Sequence, residues 1–167
     1  LVAQGVREVT LLGQNVNSYG DKDDSELNFA QLVRQVAAVK GLLRLRFTTS
    51  HPKDLSDELI ACFGELENLC HQLHLPVQCG SNEVLKQMNR GYSREDYLQT
   101  VQKLKKTCPD IRLSTDIIVG FPGENEEDFQ QTLDLVAEVG YADAFTFLYS
   151  KRTGTPAADI DDKTSSV

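Results

Sequence analysis

No apolar run in this 167-residue chain approaches bilayer-spanning length, and no stretch reads as a basic-then-apolar leader. The expected setting is therefore cytoplasmic and free of membrane. The four cysteines, Cys62, Cys70, Cys79 and Cys108, include no C-x-x-C pair, so buried, reduced thiols are expected. The histidines His51, His71 and His74 form no helical metal pair, because H-x-x-H on a strand points its two rings to opposite faces; no metal ligand is assigned. Neither a P-loop nor G-x-G-x-x-G is present. Positive charge is scarce: 17 lysines and arginines face 25 acidic residues, a net −8. Phosphate binding needs a cationic surface, so this segment is not expected to wrap nucleic acid by itself. An RNA enzyme whose basic surface lies on another domain stays open.

What is present is a globular profile, 40% hydrophobic and 25% charged. "LVAQGV" reads as the last turn of a helix closed by Gly5, the expectation being a piece of a longer chain. Strand and helix patterns then alternate. "REVTLLG" (Arg7–Gly13) predicts a strand, and "LNFAQLVRQVAAV" a helix with Leu27, Ala30, Val33 or Arg34, and Ala37 on a stripe widened by Phe29, Leu32 and Val36. "LLRLRFTTS" (Leu42–Ser50) alternates as a strand, and the helix after it has Asp54 or Ser56 as N-cap. A third strand is expected over Cys70–Ser81, with Ser81 capping "NEVLKQMNR" and Ser93 with Asp96 in capping-box spacing ahead of the next helix. "STDIIVG" supplies a fourth strand. Asn125 caps a helix whose Phe129, Leu133, Val136 and Val139 share a face and whose end is Gly140, and "AFTFLYS" (Ala144–Ser150) is a fifth strand. The stretch from 159 to 167 has too little apolar content to pack and is expected to be a mobile tail.

Such alternation, without Asn-Gly hairpin turns, means parallel strands with helices outside. An open doubly wound sheet and a (βα) barrel both fit, and in both the C-terminal strand ends form the ligand face. Four strand ends carry amides, hydroxyls or bare backbone: "GQNVNS" (Gly13–Ser18), "TTSHP" (Thr48–Pro52), "PVQCGS" (Pro76–Ser81) and "VGFPGE" (Val119–Glu124). Together they suit a ligand with hydroxyls, a carboxylate and a heterocycle. Asp116 heads an apolar run that looks buried, and a buried carboxylate costs several kcal/mol unless an arginine, Arg90 being the nearest, or ligand hydroxyls pair with it.

At "VTLLGQNVNSYG", "LRFTTSHPKD", "HLPVQ-GS-VLKQMNRGYSREDY" and "DIIVGFPGENEEDF" the chain resembles the radical S-adenosylmethionine (SAM) methylthiotransferases, and most of all their MiaB type, which modifies tRNA. The resemblance runs from about Leu1 to Ala158. It implies a partial, TIM-like (βα) barrel of six strands over 1–158, lacking the first strand and its cluster loop, with SAM across the strand ends. By position, Gly13, Gln14 and Asn15 resemble the loop facing the methionine amino end. Thr49 and Ser50 look toward the ribose or methionine. Gln78, Arg90 and Asp116 resemble residues directed at ribose and carboxylate, and Gly120 belongs to the turn beside the adenine. No catalytic residue is carried over to this segment.

Cys79 stands where the family more often has serine, a small-for-small exchange. The C-x-x-x-C-x-x-C triplet that holds the reducing 4Fe-4S cluster is expected upstream of Leu1, and an auxiliary-cluster domain and a basic RNA-binding domain elsewhere. The implied chemistry is reductive cleavage of SAM, hydrogen removal from the adenine of isopentenyladenosine beside the tRNA anticodon, sulfur insertion and methyl capping. An electron donor such as flavodoxin or ferredoxin is implied. The segment alone is expected to be inactive, to bind SAM weakly, and to be a monomer whose exposed edge risks self-association. The sister types, acting on threonylcarbamoyl-adenosine or a ribosomal protein, are alternatives. So are an aldolase-like barrel using Lys53 or His51, a non-catalytic SAM or nucleotide module, and a ligand-free interaction domain.

Overall fold

The computed structural model describes residues 1–20, 27–48, 50–155 and 157. Its elements are β1 (Glu8–Leu11), α1 (Phe29–Ala37), β2 (Arg44–Phe47), α2 (Asp57–Glu65), β3 (Gln72–His74), α3 (Asn82–Gln87), α4 (Arg94–Thr107), β4 (Arg112–Val119), α5 (Glu126–Val139) and β5 (Asp143–Leu148). The chain forms two compact units, Leu1–Leu75 with Thr100–Leu113, and Pro76–Gln99 with the residues from Ser114 on. The strand pairings given below are parallel, as the alternation requires.

In the first unit β1 and β2 pair from Glu8 opposite Arg44 to Leu11 opposite Phe47, and Leu45 bridges Leu69. Period-two burial along β2 sends Leu45 and Phe47 inward and leaves Arg44 exposed and Arg46 half-buried. Phe47 lies between the helices, its ring 5.1 Å from Phe29 on α1 and 5.7 Å from Phe63 on α2. Asn28 and Gln31 form a capping box at the start of α1, which leaves Leu27 outside the helix and 39% exposed. Ser56, not Asp54, caps α2 by accepting from Leu59 N at 3.2 Å; Asp54 instead accepts from the Ser18 hydroxyl at 2.6 Å. The opening turn, Val2–Gln4, ends at Gly5 as expected.

In the second unit β4 and β5 pair from Ser114 opposite Asp143 to Val119 opposite Leu148. Cys79, Val84, Leu85 and Phe121 form a small core on which Met88, Tyr92, Tyr149 and Ala157 pack. Ser81 caps α3, Ser93 and Asp96 exchange the expected capping bonds, and Asn125 builds a capping box on α5, which ends at Gly140. All of β5 is exposed, including Phe145, Phe147 and Leu148.

Three expectations are corrected. The strand proposed over Cys70–Ser81 is regular only at Gln72–His74; the backbone turns left-handed at Gln78 (φ 72°) and keeps one bridge there, to Ile117. The inward face of α5 is Asp128, Thr132, Leu135 and Val139, whereas Leu133 is 45% exposed. A hydroxyl and a carboxylate take those positions because the loop they meet offers hydrogen-bonding partners. Asp116 is half-buried, on the β4 face shared with Ser114 and Ile118, while Leu113, Thr115 and Ile117 are buried opposite. Its carboxylate thus avoids the full burial penalty. The expected tail over 159–167 lies outside the described residues.

Candidate functional site

The "PVQCGS" loop of the second unit is held on every side. Val77 N donates to Thr115 Oγ1 at 3.0 Å, Gln78 N to the Asp116 carbonyl at 2.9 Å, and Ile118 N to the Gln78 carbonyl at 2.8 Å. The Tyr92 hydroxyl donates to the Val77 carbonyl at 3.1 Å, and burial pushes that phenol up to about 12. Gly80 N donates to Thr132 Oγ1 at 2.9 Å, the Ser81 hydroxyl to Asp128 Oδ1 at 2.5 Å, and Cys79 Sγ lies 3.4 Å from the same Thr132 hydroxyl. A Cβ on Gly80 would sit 2.5 Å from Gln131 O and Thr132 Cα, so only glycine lets the loop approach α5 this closely.

Gln78 and Arg90, twelve residues apart, meet: Arg90 Nη2 donates to Gln78 Oε1 at 3.2 Å. Arg90 Nε is buried and has no hydrogen-bond partner among the described residues. Asp116 joins them through its backbone, its carbonyl holding Gln78 N. Gly120 adopts φ 70° at the end of β4, and a Cβ there would meet nothing within 4 Å. Beyond it Glu124 Oε2 accepts from Phe121 N at 3.0 Å, while the buried Oε1 has no partner among the described residues, and burial raises the carboxyl pKa. Tyr149 packs its ring 5.2 Å from Phe121, and its buried hydroxyl is also unpaired among the described residues. A cleft of about 450 Å³ in this unit is lined by Asn82, Lys86, Asn89, Gly91, Tyr92, Ser93 and Asp96, and by none of Gln78, Arg90, Asp116 or Gly120.

In the first unit Gly13, Gln14 and Asn15 are exposed after β1. Asn17, which the sequence reading passed over, is buried and clips the next loop in both directions: His51 N donates to its Oδ1 and its Nδ2 donates to the His51 carbonyl, each at 2.9 Å. Ser50 is buried, and its Oγ has no partner among the described residues. Thr49 lies outside the described residues. Lys53 is exposed, without the desolvated pocket that would activate a Schiff-base lysine.

Cys62, Cys79 and Cys108 are buried and Cys70 is half-buried; all four are free. Burial raises the Cys62 and Cys79 thiols, and burial together with Asp110 pushes Cys108 up to about 11. Among the described residues the possible metal-ligand grouping is His71, Cys108 and Asp110, whose ligand atoms lie within 4.8 Å of one another. It was hidden in sequence because Asp110 lies 39 positions from His71. Asp110 Oδ1 accepts there from both His71 and Cys108, so the trio is satisfied as a hydrogen-bonded cluster. One cysteine in that grouping does not fit an iron–sulfur cluster, which needs several thiolates.

The Radical SAM superfamily pattern matches residues 1–136. The chain is 60% identical over 163 residues to the tRNA-2-methylthio-N(6)-dimethylallyladenosine synthase of Trichlorobacter lovleyi, covering 98% of this chain and 37% of that protein. It is 61% identical over 165 residues to the synthase of the same name from Pelobacter propionicus, covering 99% and 38%. It thus spans well under half the length of the curated relatives it matches. Streptococcus suis SuiB shares the fold at a TM-score of 0.57 and 12% identity, over 93% of this chain and 32% of that one. The Escherichia coli coproporphyrinogen III oxidase HemN, a radical SAM enzyme, does so at 0.50 and 21%, over 72% and 35%.

Proposed function

The chain belongs to the radical SAM superfamily, and from that premise we propose that it is the SAM-cradling part of an enzyme that adds a methylthio group to the adenine of N6-isopentenyladenosine in tRNA. The observation that carries the reading is its identity of about 60% to synthases of that modification along nearly the whole chain. The alternating parallel α/β architecture supports a partial six-stranded barrel over 1–158.

Bound SAM would supply the reactive carbon and the methyl group; this chain's residues bind and orient it. The unpaired Arg90 Nε–H suits a carboxylate or ribose oxygen, and the unpaired Ser50 hydroxyl suits either hydrogen-bonding sense. Gln78 bonds Arg90, and Asp116 holds the Gln78 backbone; Gly13, Gln14, Asn15, Thr49, Asp116 and Gly120 are proposed as SAM contacts on the family resemblance alone. The four cysteines do not fit a cluster, so the electron enters through other parts of the full enzyme, from a flavodoxin- or ferredoxin-class donor. Among the described residues no helix is long and apolar enough to cross a membrane; the cytoplasmic setting is proposed from the proposed tRNA substrate. Exposed Phe145, Phe147 and Leu148 support self-association of the isolated chain.

The test is nucleoside analysis of isopentenylated tRNA after incubation with SAM, reductant and the cluster-loaded full-length protein. Appearance of the 2-methylthio derivative is expected. Modification of threonylcarbamoyl-adenosine or of a ribosomal protein instead would assign the chain to a sister activity. Thermal stabilisation by sugar phosphates and not by SAM would return the aldolase-like reading.

A further inference from the structure

Two left-handed residues that are not glycine, Gln78 (φ 72°) and Asn89 (φ 56°), bracket one contact. Asn89 follows the last turn of α3. Its N–H donates to the Lys86 carbonyl and the Arg90 N–H to the Leu85 carbonyl, each at 3.0 Å. That is the bond pattern of a Schellman cap, with asparagine in the left-handed position. The cap fixes where the Arg90 backbone leaves the helix.

Gln78 is fixed from the other side. Its N–H and C=O are both bonded to β4, at Asp116 O and Ile118 N, so its backbone cannot relax out of φ 72°. Glycine would adopt this geometry without strain. Strained non-glycine residues persist where surroundings over-determine them, and they point to a use for the side chain. Here Gln78 Oε1 accepts from Arg90 Nη2 at 3.2 Å, while Arg90 Nε stays buried and unpaired.

We propose that Gln78 is a positioning residue rather than a ligand contact: it holds the Arg90 guanidinium so that the Nε–H is left for an acceptor oxygen of bound SAM. This rests on the reading of Arg90 as a SAM-binding group. Gln78 contributes a carbonyl acceptor, and Arg90 does the recognition. A guanidinium held by one fixed partner presents its remaining N–H groups in a fixed direction.

The test measures SAM binding to the cluster-loaded full-length enzyme, with thermal stability followed alongside. Gln78→Leu, which removes the acceptor, is expected to weaken binding about tenfold, the scale of a lost hydrogen bond to a charged group. Gln78→Gly is expected to weaken binding as much while leaving thermal stability equal or higher, because it relieves the left-handed strain; a purely structural role would lose both together. Gln78→Glu is expected to recover most of the binding, since a carboxylate accepts from Arg90 as an amide oxygen does. Arg90→Ala with and without Gln78→Leu should bind SAM equally weakly.

Additive losses in that double variant, or Gln78→Glu binding as weakly as Gln78→Leu, would overturn the inference and make Gln78 a direct ligand contact. Unchanged binding in Arg90→Ala would instead remove the SAM reading of Arg90, and the inference with it.

Discussion

The Thr132 side chain accepts from the backbone N–H of Gly80, 52 positions earlier, at 2.9 Å, inside a fully buried contact. This bond joins α5 to the loop that carries Gln78. Thr132→Val keeps the volume and removes the acceptor, stranding a buried N–H, and should cost about 1–3 kcal/mol. Thr132→Ser should recover most of that. Gly80→Ala drives a Cβ against the α5 backbone and should cost about 1–3 kcal/mol as an overpacking change. Urea denaturation of the three variants checks the ranking; an unaffected Gly80→Ala would mean that the helix and loop are not in contact.

Cys79 occupies a slot built for a hydroxyl, with Thr132 Oγ1 at 3.4 Å and Ser81 N at 3.5 Å from its sulfur. Cys79→Ser should be tolerated with little change in stability. Under native conditions a thiol reagent should modify Cys70 first, because the other three are buried with raised thiol pKa values. Mass spectrometry after brief labelling reads this out, and early labelling at Cys79 would contradict the burial described.

Glu124 gives a pH signature. Burial raises its folded-state pKa above the ordinary 4.5. Stability contributed by the protonated form is therefore present in full below 4.5 and is lost as pH rises through the folded value. Wild type should lose stability relative to Glu124→Gln across that window and run parallel to it below. Denaturation series in pH would show a constant difference throughout if the carboxyl were not desolvated.

Asn17 ties the loop after β1 to the loop after β2 through two bonds to the His51 backbone. Asn17→Ala should remove both, cost about 1–3 kcal/mol, and speed hydrogen exchange at the His51 amide. Exchange at wild-type rate there would mean the clip does not form in solution.

Local signals were readable from sequence. Ser81, the Ser93–Asp96 pair and Asn125 start their helices, and Gly140 ends one, where expected, since a cap depends on residues within three or four positions of itself. The strand order of elements was readable for the same reason. Contacts set by distant partners were not. Asp128 and Thr132 are absent from the apolar face read for α5 because nothing nearby announces that Ser81 and Gly80 will meet them. Gln78 looked like one residue of a long strand, since left-handed backbone at a glutamine has no composition signal. Asp116 looked buried because its neighbours are apolar, yet period-two alternation puts it on the half-exposed face. Arg90 is legible as the arginine nearest Asp116 and Ser50 through the resemblance, while the unpaired Glu124 and Tyr149 atoms emerge only from the packing.

The most direct measurement is the SAM dissociation constant of the cluster-loaded full-length enzyme, by equilibrium dialysis, for wild type, Ser50→Ala and Arg90→Ala, with exposed Lys53→Ala as the control. The account predicts losses of about tenfold in each of the two site variants and none in the control. Wild-type affinity in both site variants would contradict it.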